Sequence, residues 1–66
     1  MTVPSERTRA VIVTREFLLD LITPSKTPKV PRAIRERALR CLRHYPGEYD
    51  LMRAHQRVPE VWGPRE

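Results

Sequence analysis

The sequence has 66 residues, which is enough for one domain but gives that domain only a small core. Its single cysteine, Cys41, excludes an internal disulfide, and the spacing of Cys41, His44 and His55 does not match a zinc site, so we expect no metal and no other cofactor. Thirteen Lys and Arg residues against eight Asp and Glu residues give a net charge of +5, which permits binding to nucleic acid, acidic lipid or an acidic protein surface.

Catalytic and targeting motifs are not evident in the sequence. No nucleophile stands beside a base, and there is no glycine-rich phosphate loop or pair of carboxylates in an evident pocket, so we do not expect an enzyme. The N-terminal segment lacks the apolar core of a signal peptide, and no stretch approaches the length of a membrane span. We therefore expect the protein in the cytoplasm, with no role for a membrane.

The first predicted element is a helix from about residue 3 to residue 22. This segment contains no glycine, has Pro4 in its opening turn, where helices tolerate proline, and ends before Pro24. Its apolar residues cover most of the helix circumference, so the helix needs contacts on two sides. The stripe predicted to form the core with the rest of the chain has one line of residues and three more beside it. The line holds Val3, Ala10, Thr14, Phe17 and Leu21, and the residues beside it are Val11, Leu18 and Ile22.

The second apolar side of this helix predicts self-association. Ile12 and Leu19 form a ridge nearly opposite the predicted core line, and leaving such side chains in water costs about 1.5–3 kcal/mol each. We therefore predict a homodimer, since twofold dimers are the commonest oligomers. The alternative is a monomer in which the third segment or Trp62 covers this side. The residues predicted at the dimer interface are Val11, Ile12, Arg15, Leu18, Leu19 and Ile22.

A proline-rich loop and a second helix follow. Three prolines in residues 24–31 stand among Ser, Thr and Lys, which predicts a connecting loop. The second helix is predicted to start at Pro31 and to end at His44 or Tyr45, before the Pro46-Gly47 pair. The expected fold class is therefore all-α, an antiparallel helical hairpin.

The outward side of the second helix is the most basic surface of the sequence. Arginine suits planar, bidentate contacts with carboxylate or phosphate, and His44 and Tyr45 form a corner beside it that can anchor a partner. The alternatives are a merely solvated face and a tyrosine ring that closes the core. The basic residues are Lys29, Arg32, Arg40 and Arg43, with Arg35 and Arg37 on the flanks and Glu36 among them. The predicted partner-binding residues are Arg32, Arg40, Arg43, His44 and Tyr45.

The last third of the sequence is less regular. Residues 48–57 lack proline and glycine and could form a short third helix, although their apolar residues follow no clear helical pattern. Residues 59–66 are predicted to be an irregular tail, in which Trp62 either packs or is exposed. The predicted domain organisation is a helical domain over residues 1–58 followed by this tail.

Three short runs carry a resemblance to known proteins: ERTRAV at residues 6–11, TREFL at residues 14–18 and LRHYP at residues 42–46. They resemble a family of short bacterial and phage proteins, mostly uncharacterised, and the resemblance extends to phage-encoded anti-activators of quorum sensing. It implies a two-helix homodimer that inhibits host proteins by occlusion. The implied partners are a quorum-sensing transcriptional regulator, the ATPase of type IV pilus assembly, or both. The segment from Glu48 onward matches no pattern of the family.

The leading hypothesis is a protein-binding inhibitor that pairs with itself through the first helix and meets its partner with the second. If a phage encodes it, its compartment is the cytoplasm of the host cell. The alternative is a small basic regulatory protein that binds nucleic acid through phosphate contacts of the second helix. Glutamates interrupt that basic surface, and no aromatic side chain stands among the arginines for stacking on bases, so nucleic acid is the less favoured partner.

Overall fold

The computed structural model describes residues 2–64, which are all-helical with no strand in that range. The helices are α1, Pro4–Leu21; α2, Arg32–Leu42; and α3, Glu48–Arg57. The predicted all-α class is therefore confirmed, and residues 48–57 form the third helix that the sequence left open. The chain divides into two compact units. We call residues 14–45 the central unit, and the residues up to Val13 together with those from Pro46 onward the terminal unit.

Helix α1 has almost the bounds that the prolines predicted. At its start the Val3 N–H donates to Glu6 Oε1 at 3.1 Å, which satisfies a backbone donor that the helix itself cannot. At its end the Thr23 hydroxyl donates to the Leu19 carbonyl at 2.8 Å, and Pro24 follows. Each end of the helix therefore has a local side-chain bond.

Helix α2 ends at Leu42, short of the predicted His44 or Tyr45. The Arg43 N–H donates to the Arg40 carbonyl and the Tyr45 N–H to the Leu42 carbonyl, both at 3.3 Å, so the chain passes from the helix into tighter turns. Pro46 is the physical reason, because the residue before a proline is kept out of the α-helical region and the helix must end earlier.

Helix α3 forms despite its irregular apolar pattern, because its ends are well suited to a helix. The Gly47 N–H donates to Asp50 Oδ2 at 3.0 Å. Glu48 and Asp50 lie in the first turn, and His55 and Arg57 lie in the last, which matches the helix dipole at both ends. One side chain of the helix, Leu51, is buried in the terminal unit.

In the central unit, the guanidinium of Arg35 fastens the loop after α1. It donates to the Leu21 carbonyl at 2.7 Å, to Thr27 Oγ1 at 3.1 Å and to the Thr27 carbonyl. The Thr27 hydroxyl in turn donates to the Asp20 carbonyl at 2.7 Å. The prediction that Arg35 flanks the outward basic face is therefore wrong, since its head binds backbone carbonyls that α1 and the loop leave unsatisfied.

In the terminal unit, the segment after α3 is bonded to the first turns of α1. The Gly63 N–H donates to the Pro4 carbonyl at 3.0 Å, and the hydroxyl of Thr8, which is 1% exposed, donates to the Gly63 carbonyl at 2.9 Å. Trp62 is half-buried, and its carbonyl accepts from His55 Nδ1 at 3.0 Å. Residues 58–64 form turns without a helix, yet these bonds fix their position.

The core line predicted for α1 is wrong. Phe17 is 60% exposed, whereas Ile12 and Leu19, predicted to stay bare, are half-buried. The covered side includes Thr8, a polar residue that a count of apolar positions does not select. Because both sides of α1 carry large apolar residues, periodicity alone could not choose between them. Of the predicted line, Val3, Ala10, Thr14 and Phe17 are exposed and Leu21 is half-buried.

Candidate functional site

The strongest candidate site is the exposed side of α2. At 100° per residue, its side chains spread over an arc centred opposite Ala38, the residue by which α2 is buried in the central unit. We call this arc the α2 outer surface, and all its members are exposed. They are Arg32, Ala33, Glu36, Arg37, Leu39 and Arg40 of α2, and Arg43, which directly follows the helix.

The four guanidiniums of the α2 outer surface have no partner within the described part of the chain. The ion pair recorded in residues 2–64 joins Lys26 Nζ to Asp20 Oδ1 at 3.5 Å, away from this surface. Glu36 lies one turn from Arg32 and from Arg40 but forms no ion pair with either. The positive charge of the surface is therefore available to a partner.

Leu39 makes the α2 outer surface more than a basic patch. It lies on the same line of the helix as Arg32 and Arg43 and is 58% exposed, although leucine is usually buried. The apolar periodicity of the helix does not select this residue, because Leu39 lies away from the inner apolar stripe. The signal was present, since an apolar residue seven positions after one arginine and four before another interrupts an otherwise polar face.

The predicted corner lies in the turns that follow α2. His44 is exposed and Tyr45 is half-buried. With Arg32, Arg40 and Arg43 exposed on the helix, the predicted partner-binding residues all belong to the central unit. The assignment of a partner to them stays a prediction.

The apolar residues predicted at the dimer interface are less accessible than two other apolar side chains of α1. Val13 is 50% exposed and Phe17 is 60% exposed. Those two side chains, one helical turn apart, are therefore the apolar surface that α1 offers most openly. Of the predicted interface residues, Arg15 is exposed, and Val11, Ile12, Leu18, Leu19 and Ile22 are half-buried.

Each unit also contains a depression of its own. In the central unit, a shallow groove of about 200 Å³ lies between Leu18 and Leu21 of α1 and Ile34 and Ala38 of α2. In the terminal unit, a cleft of about 450 Å³ is lined by Thr8, Tyr49, Met52 and His55, among others. Both are mainly apolar, and apolar depressions with few polar groups are typical of binding sites.

The polar groups at the cleft of the terminal unit are bonded within the fold. A carbonyl oxygen can only accept, so the contact with the Trp62 carbonyl means that His55 carries its proton on Nδ1. The Thr8 hydroxyl donates a hydrogen bond to the Gly63 carbonyl. Each of these side chains therefore has a role in the fold of the terminal unit.

Residues 2–64 show neither a candidate metal site nor a membrane-spanning helix. No group of three or more His, Cys, Asp and Glu side chains in that range could hold a metal ion. None of the described helices combines the length and the apolar character needed to cross a bilayer. Comparison of the chain with protein-family models, with curated proteins and with solved structures finds no match.

Proposed function

We propose that the protein acts by binding another protein through the α2 outer surface and the adjoining His44–Tyr45 corner. We propose further that it inhibits this partner by covering a surface that the partner needs for its activity. The observation that carries the proposal is a set of four exposed arginines around an exposed leucine, whose guanidiniums have no partner among residues 2–64. Arginine is enriched where protein surfaces meet, because its planar head donates several hydrogen bonds at once.

The proposed partners are host proteins of a phage or prophage. The resemblance of the runs at residues 6–11, 14–18 and 42–46 supports a quorum-sensing transcriptional regulator, the ATPase of type IV pilus assembly, or both. Inhibition by occlusion requires only a rigid surface of the right charge and shape. A short helix anchored by Arg35 and Ala38 meets that requirement.

A pull-down tests this proposal. Tagged wild-type protein is expected to retain a protein partner from a nuclease-treated lysate of host cells, and the variant carrying Arg40→Glu and Tyr45→Ala is expected to lose it. Reversing a charge at an interface costs several kcal/mol through like-charge repulsion, which corresponds to at least about a hundredfold in affinity. A second variant, Arg40→Glu with Arg43→Glu, leaves the half-buried tyrosine in place.

The matched control changes the same residue types on α3. Arg53 and Tyr49 are both exposed, and Arg53 donates to the Tyr49 hydroxyl at 3.0 Å. The variant with Arg53→Glu and Tyr49→Ala is expected to keep the partner. Circular dichroism confirms that each variant folds. If the α2 variants retain the partner protein and the α3 variant loses it, the partner binds α3 and the proposal is wrong.

We also propose that two copies pair through α1, each folded as an antiparallel hairpin of α1 and α2. The exposed Val13 and Phe17 support this, since covering the part of Phe17 that is still exposed returns about 1–2 kcal/mol. Light scattering at micromolar concentration is expected to give the mass of two chains for the wild type and of one chain for Phe17→Glu. A wild-type monomer at that concentration would contradict the pairing.

Nucleic acid is the second candidate partner, and the observation that favours it is the four exposed guanidiniums without an ion pair in the described range. Binding through phosphate contacts would weaken steeply with salt, because each contact releases counterions. A duplex titration at two salt concentrations therefore belongs beside the pull-down, and absence of binding at low salt eliminates this candidate.

A further inference from the structure

Along the α2 outer surface, an exposed apolar side chain lies between positively charged side chains. Arg32, Leu39 and Arg43 fall within a narrow strip of the helix, and Arg40 lies beside it. The two outer arginines of the strip are eleven residues apart, which places them about 16 Å from each other along the helix axis. The apolar side chain of Leu39 thus lies between two arginines, one at the start of α2 and one directly after its end.

We propose that this strip binds an acidic amphipathic helix, with carboxylates set about three turns apart on either side of an apolar residue that covers Leu39. The inference rests on the proposed function, because it names the class of partner that the α2 outer surface accepts. Charge complementarity carries it. The four guanidiniums have no ion-pair partner within residues 2–64, so carboxylates of a second helix can pair with them, and helical spacing can bring such carboxylates to both ends of the strip.

Leu39 and Glu36 favour protein over nucleic acid as the source of those anions. Leu39 is 58% exposed between Arg32 and Arg43, where a phosphate backbone offers it no apolar contact. Glu36 is exposed within the same surface and would repel phosphates, whereas a protein partner can place a basic or neutral side chain opposite it. Both side chains are therefore compatible with a partner helix that carries apolar and neutral or basic side chains as well as its carboxylates.

The roles of the arginines on α2 make the proposal testable in a folded protein. Arg35 alone among them donates to backbone carbonyls of the central unit. The arginines at 32, 40 and 43 are exposed, and their guanidiniums form no hydrogen bond or ion pair within residues 2–64. Substitutions on the outer surface are therefore expected to leave the thermal unfolding midpoint nearly unchanged.

The probe is a synthetic helical peptide with Glu at positions i and i+11, Leu at i+4 and further Glu residues beside that line. Its matched control has Gln in place of every Glu. By fluorescence anisotropy at low salt, the full chain is expected to bind the acidic peptide at least about tenfold more tightly than the control peptide. Arg40→Glu with Arg43→Glu should abolish this preference, and Leu39→Gln should weaken binding about fivefold or more.

Two further measurements decide the outcome. Arg40→Lys with Arg43→Lys keeps the charge and should retain the preference for the acidic peptide, with some loss of affinity. Equal binding of the two peptides, or no effect of Leu39→Gln, would overturn the proposal. So would a DNA duplex that binds while the acidic peptide does not. If the pull-down partner is still lost on reversing Arg40 in that event, the proposed function survives and only this partner class is wrong.

Discussion

Replacing Arg35 with alanine is expected to lower the free energy of unfolding by about 3 kcal/mol, because three charge-assisted hydrogen bonds are lost at once. The carbonyls of Leu21 and Thr27 lose their guanidinium donor, and the loop after α1 loses its connection to α2. In a chain of this size, 1 kcal/mol corresponds to about 4–8 °C in the unfolding midpoint. Thermal and urea unfolding followed by circular dichroism measure the change.

Arg37 supplies the matched control for Arg35. It is an exposed arginine of the same helix, and its guanidinium forms no hydrogen bond or ion pair within residues 2–64. Arg37→Ala is expected to change stability by less than about 0.5 kcal/mol. Arg35→Lys should fall between the two, because a lysine keeps the charge but cannot donate to two carbonyls as a planar fork. Similar losses for the alanine variants at 35 and 37 would refute the anchoring role.

Adding one methyl group at Gly63 is expected to destabilise the terminal unit by about 3 kcal/mol. A Cβ there would lie 2.5 Å from the Ser5 nitrogen and 2.7 Å from the Pro4 carbonyl carbon, which are backbone atoms of the first turn of α1. Glycine is required at this position because two backbones approach closely. Moving them apart would also break the bonds that join Gly63 to Pro4 and Thr8.

The second glycine of the chain is the control for the first. A Cβ at Gly47 would meet nothing within 4 Å, and its φ of −95° suits any residue. Gly47→Ala loses a favourable residue before α3 but also stiffens the unfolded chain, so we expect a net change below about 1 kcal/mol. Urea unfolding of both variants measures the contrast, and equal stability of the two would show that the contact of Gly63 with α1 is not needed.

The sequence predicted where helices begin and end better than it predicted which sides they bury. Pro4, Pro24 and Pro46 restrict the backbone directly, and the observed bounds follow them closely. The buried side of α1 depends instead on tertiary bonds, such as the one from Thr8 to the Gly63 carbonyl. Partners so far apart in the chain leave no mark on local periodicity.

In the candidate site, too, the features set by local sequence could be predicted and those set by tertiary contacts could not. The outer arginines could be placed from helical spacing alone, because an exposed helix face has a simple pattern. Arg35 could not be told apart from them, since its inward role depends on carbonyls that only the folded loop presents. Leu39 was missed for the opposite reason, because a lone leucine on a helix is normally assigned to the core.

The most direct test of the central claim is photocrosslinking from defined positions of the full chain. A photoreactive amino acid replaces either Leu39 on α2, which is 58% exposed, or Met52 on α3, which is 50% exposed, and the tagged protein is added to host lysate. The claim that α2 meets the protein partner predicts a covalent adduct from position 39 and none from position 52. An adduct from position 52 alone would contradict it and would assign partner binding to the cleft of the terminal unit.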